Sequence, residues 1–63
     1  MRKPTYNFEV MGDNGKVLRR CTQSCHNIGA QARTFDLLRK TPGAVAVFGF
    51  ERSGRHVHAA YRD

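Results

Sequence analysis

From Tyr6 to Met11 the positions alternate, with Tyr6, Phe8 and Val10 on one set and Asn7, Glu9 and Met11 on the other. A period of two predicts a half-buried β-strand. Gly12-Asp13-Asn14-Gly15 follows, and Asn-Gly is a strong tight-turn signal because both residues accept positive φ. Lys16 to Cys21 is then the returning strand of a hairpin. The period changes after that. Ile28, Ala32, Phe35 and Leu38 recur at helical spacing with Gln31 beside them, which predicts a helix from about Cys25 to Lys40 that buries this stripe. Arg33, Asp36 and Lys40 then point away from it. Thr22 and Ser24 are the candidate N-caps, Arg39 and Lys40 suit the negative end of the helix dipole, and Gly29 weakens the first turn. Thr41-Pro42-Gly43 stops the helix, because the residue before proline avoids the helical region and glycine takes the turn. Ala44 to Glu51 predicts a strand, Arg52-Ser53-Gly54-Arg55 a turn, and His56 to Tyr61 a last strand.

The predicted fold is α+β, in the order ββαββ. The helix carries the chain back between the second and third strands, so those two run the same way. Placing the third strand beside the first makes every neighbour antiparallel and gives the order 2-1-3-4. The expectation is a four-stranded antiparallel sheet with one helix packed on one face, formed by a single domain, residues 1–63.

A single helix covers one face of such a sheet, and antiparallel sheets tolerate the other being exposed. The third strand, Ala44-Val45-Ala46-Val47-Phe48-Gly49-Phe50, is apolar on both alternate sets, so some of it faces outward in either register. In the favoured register Tyr6, Phe8, Val10, Val17, Val45, Val47, Val57, Ala59 and Tyr61 face the helix. Glu9, Met11, Leu18, Arg20, Phe48, Phe50, His56 and His58 then form the uncovered face. In the opposite register Phe48 and Phe50 are core residues, the usual place for phenylalanine.

Size and composition narrow the function. A chain of 63 residues buries only about 60% of its unfolded surface, which leaves little core from which to carve a substrate cleft. The chain is therefore expected to be a binding module and not an enzyme. Its 40% hydrophobic and 25% charged residues indicate a folded rather than a disordered chain. No apolar run approaches the length of a membrane span, and no apolar segment follows Met1-Arg2-Lys3-Pro4 as a signal peptide would require. Two cysteines, Cys21 and Cys25, are too few and too close for a disulfide framework, so reduced thiols and a cytoplasmic setting are expected.

The formal charge is +6, and eight of the eleven basic residues are arginine. Arginine forks onto phosphate in two-point contacts, which points to nucleic acid, RNA or DNA; an acidic or nucleic-acid-binding protein surface is the alternative partner. Aromatic rings and imidazoles on a flat sheet can stack unpaired bases. They can equally build a protein interface, including a homodimer through the uncovered face. The candidate binding residues are Arg19, Arg20, Phe48, Phe50, Arg52, Arg55, His56 and His58, with Arg2 and Lys3 as a basic arm. The leading expectation is nucleic-acid binding. The second is a small protein, of the kind mobile elements encode, that binds and inhibits or adapts a larger complex.

Other chemistry is poorly supported. Cys21, Cys25, His56 and His58 suggest zinc, but the order 2-1-3-4 puts the second and fourth strands on opposite edges, about 14 Å apart at roughly 4.8 Å per step. Cys25 beside His26 lacks an orienting third residue or an oxyanion hole. No cofactor or metal is expected.

Overall fold

The computed structural model describes residues 3–62; Met1, Arg2 and Asp63, and with them the Arg2 part of the basic arm, lie outside the described residues. The elements are β1 (Thr5–Gly12), β2 (Val17–Ser24), α1 (Asn27–Lys40), β3 (Ala44–Glu51) and β4 (His56–Tyr61). The strands form one sheet in the order β2-β1-β3-β4, each neighbouring pair antiparallel, with α1 packed on one face, as the pattern predicts.

The first hairpin closes through Gly12 N–H donating to the Lys16 carbonyl at 2.8 Å, with Gly15 at φ +79°, a conformation in which a Cβ would be strained. α1 ends where Thr41 N–H donates to the Leu37 carbonyl at 3.0 Å, and Gly43 at φ +81° swings the chain into β3. Tyr6, Phe8, Val10, Ala44, Val47 and Ala60 of the sheet meet Ala30, Leu37 and Leu38 of the helix in the core. Burying side chains such as Phe8, Val10, Val47 and Leu37 contributes about 1.5–3 kcal/mol each. Thr34 is also fully buried, and its hydroxyl is satisfied by donating to the Gln31 carbonyl at 2.6 Å.

Three local expectations are corrected. First, β2 runs on to Ser24, opposite Thr5, so Thr22 and Ser24 are strand residues rather than caps. The helix begins at Asn27, and the N-cap, His26, makes no side-chain cap hydrogen bond. Second, the buried stripe of α1 is Ala30, Thr34, Leu37 and Leu38. Ile28 is 82% exposed and Phe35 53%, and Ala32 is exposed with them. The sheet presents the bulky Tyr6, Phe8 and Val10, so the helix approaches with small side chains opposite them and seats its two leucines near its end.

Third, irregularities in three strand pairings shift the alternation. Between Val10 and Met11 the register slips, so Arg19 pairs with Val10 but Val17 pairs with Met11. Val17 therefore leaves the helix side, and Leu18 packs over Gly12 and Gly43 instead of standing on the uncovered face. A second slip pairs Ala44 with Gly12 and leaves Val45 unpaired; Ala44, not Val45, becomes fully buried. A third pairs Gly49 with His58 but Phe50 with His56. Val57 still packs against the core. His58, however, moves to the helix side with Ala60, while Ala59 and Tyr61, opposite Phe48 and Ala46, stand on the uncovered face.

The helix lies over β3, β4 and part of β1. Strand β2 is left with every residue except Cys21 exposed. Among the described residues no helix is long and apolar enough to cross a membrane.

Candidate functional site

Cross-strand partners share a sheet face, so the register identifies the uncovered one. Phe50 lies opposite Asn7 and Phe48 opposite Glu9. Asn7 and Glu9 in turn lie opposite Thr22 and Arg20. Phe48 and Phe50 therefore stand outward on an inner strand, as the favoured register expects, and are not part of the buried core. Gly49 between them points to the helix, where a Cβ would come within 3.1 Å of the His58 Cβ and 3.4 Å of Phe8 and Thr34 side-chain atoms. The Phe-Gly-Phe sequence thus does two jobs: the glycine lets α1 sit close, and its neighbours place two rings on the other side.

β4 completes an aromatic row. The His56 ring lies 5.4 Å from both Phe48 and Phe50, and Tyr61 lies 5.8 Å from Phe48 at an interplanar angle of 78°. These edge-on and tilted contacts suit the ring quadrupoles and fix the rings relative to one another. His56 is further held by a 2.8 Å hydrogen bond between its Nε2 and the His58 carbonyl.

Beside this row, towards β2, lies a hollow of about 510 Å³ lined by Phe50, Asn7, Glu9, Arg20, Thr22 and Gly54, among others. Its polar groups are organised. The Thr22 hydroxyl donates to Asn7 Oδ1 at 2.8 Å, and Arg20 Nε donates to Glu9 Oε2 at 3.2 Å. Gly54 brings the β3–β4 turn, with exposed Arg52 and Arg55, to the edge of this face. Arg55 Nε approaches Glu51 Oε1 at 3.9 Å. Arg52 and Lys3 line a second hollow at the end of the sheet, with Pro4, Thr5, Ser24 and Glu51.

The structure thus brings together Arg20, Phe48, Phe50 and His56 on one face, with Arg52 and Arg55 in the adjoining turn. Two candidates are not with them. Arg19 pairs with Val10 and lies on the helix side. His58 points to the helix, where its Nε2 lies 2.8 Å from Asn27 Oδ1 and its ring 5.8 Å from that of Tyr6. It ties β4 to the start of α1. Tyr61, Asn7 and Thr22 are the residues that sequence reasoning missed. The alternation of β1 does place Asn7 outward, whereas Tyr61 needs the β4 irregularity and Thr22 the full length of β2.

Cys21 and the two histidines stand on opposite edge strands, and among the described residues no three His, Cys, Asp or Glu side chains gather as metal ligands would. No protein-family model, curated protein or solved structure matches the chain.

Proposed function

We propose that the uncovered face of the sheet binds single-stranded nucleic acid, and that the chain acts as a binding module rather than an enzyme, in the cytoplasm. The observation that carries this reading is the pair Phe48 and Phe50, side by side on an inner strand and flanked by His56 and Tyr61. Aromatic side chains on an antiparallel sheet are a recurrent platform for splayed bases, because every base has a π-face. A base stacked on Phe50 borders the hollow where Asn7 and Thr22 offer an amide and a hydroxyl. Arg20, Arg52 and Arg55 lie where a backbone leaving that platform would place phosphates, and the net charge of +6 favours encounter. Duplex fits less well, since its bases are already stacked and the face offers no projecting element for a groove.

The test is fluorescence anisotropy with labelled single- and double-stranded RNA and DNA, starting at low salt. The expected result is binding to single strands that weakens steeply with added salt. Phe48→Ala and Phe50→Ala should each cost about 1–3 kcal/mol of binding while the circular dichroism spectrum is retained. Absence of binding to every oligonucleotide at low salt overturns the reading. Self-association abolished by the same two substitutions would assign the face to a homodimer instead.

A further inference from the structure

We propose that the outer edge of β2 is a docking site for an extended acidic segment of a partner protein, added to the sheet as a fifth strand. The ladder geometry defines the edge. Cys25 N–H donates to the Pro4 carbonyl at 3.0 Å, at the end of the β1–β2 pairing. Antiparallel ladders alternate bonded and non-bonded pairs, so Gln23, Cys21 and Arg19 spend their backbone groups on β1. The N–H and C=O groups of Arg20, Thr22 and Ser24 therefore point away from the sheet.

These three residues have side chains that lean the other way. Arg20 reaches Glu9 at 3.2 Å, Thr22 reaches Asn7 at 2.8 Å, and the Ser24 hydroxyl lies 3.1 Å from that of Thr5. The outward backbone is left unobstructed, on a strand of eight residues without proline and with every residue but Cys21 exposed. Edge strands of this kind template pairing with another chain.

Charge selects the occupant. Lys16, Arg19 and Arg20 lie on or beside this edge, and residues 16–24 contain no acidic side chain. Arg20, on the uncovered side, is held by Glu9, so the cations offered to an added strand are Arg19, which projects on the helix side, and Lys16, neither of which has an acidic partner among the described residues. A trough alongside, between β2 and α1, is lined by Gln23, Arg33, Asp36 and Arg39 among others. A second copy of the chain would bring the same arginines against themselves, which like-charge opposition disfavours; a strand alternating acidic and β-branched residues is attracted. This site uses backbone groups at the sheet edge and does not depend on the aromatic face.

The experiment titrates the ¹⁵N-labelled protein with a capped ten-residue peptide alternating glutamate with valine and threonine, and with its lysine counterpart. The glutamate peptide should shift the amides of Arg20, Thr22 and Ser24 and slow their hydrogen exchange, and the lysine peptide should do neither. Thr22→Pro removes an outward N–H, a position where an edge strand tolerates proline, and should weaken peptide binding at least about tenfold. N-methylating alternate residues of the peptide leaves the protein untouched and should cause the same loss. Phe48→Ala should weaken oligonucleotide binding and leave peptide binding unchanged, so the two sites fail separately. Equal binding of the lysine peptide, undiminished binding of the methylated one, or a β2-mediated dimer in sedimentation would overturn the proposal.

Discussion

Gly49 shows how much a single missing methyl group can decide. It sits in β3 where His58, Phe8 and Thr34 converge, and its neighbours carry the exposed rings. Gly49→Ala should destabilise the protein by about 1–3 kcal/mol through overpacking, measured by urea unfolding, even though alanine ordinarily favours folding over glycine. Asp36 is the other informative single residue. Lys40, with Arg39, donates hydrogen bonds to its carboxylate and holds its pKa below the usual value despite partial burial; Arg33 also bonds it, at 3.2 Å. A lowered folded-state pKa adds stability that is fully present above the unfolded value of about 3.9 and is lost as the pH falls through the folded one. Asp36→Asn should therefore be less stable than the parent at pH 6, and the gap between their urea midpoints should close as the pH drops below about 4. A gap that is constant across this range would show that the charge cluster contributes nothing to folding.

At the scale of elements, the helix faces two ways and buries only one of its apolar stripes. Leu37 is fully buried, so Leu37→Ala should cost about 2–5 kcal/mol, a large share of what a domain of this size has. Ile28→Ala, on the exposed stripe, should change stability by no more than about 0.5 kcal/mol. Thermal or urea unfolding of both variants checks the assignment; a reversed order would mean the helix is rotated. The existence, order and pairing of all five elements were legible in the sequence, because turn residues and the Pro-Gly stop are local signals. The helix face was not, since Ile28-Ala32-Phe35 and Ala30-Thr34-Leu37 have the same spacing and only packing against Phe8 and Val10 chooses between them. Nor were the strand irregularities legible. Each inverts the alternation beyond it, which is how His58 left the aromatic row and Tyr61 entered it. Phe48 and Phe50 were placed correctly because β3 pairs with β1 without a slip from Ala46 to Glu51.

For the molecule as a whole, charge and coverage set the behaviour. With eleven basic and five acidic residues, association with any polyanion should begin through long-range attraction that salt screens. Substituting Arg52 and Arg55 by alanine together should flatten the slope of log affinity against log salt by up to about 1.4, near 0.7 for each single-strand phosphate that an arginine no longer neutralises, with little change in which sequence is preferred. An unchanged slope would remove the turn from the binding surface.

The lopsided seat of the helix, over β3 and β4 rather than over β2, implies a gradient of cohesion across the sheet. Protection against native-state amide exchange should be greatest in β3, clasped between two strands beneath α1, and least in β2, whose only sheet partner among the described residues is β1. Local opening would then begin at that rim, lifting one ribbon while the layered half of the molecule stays shut.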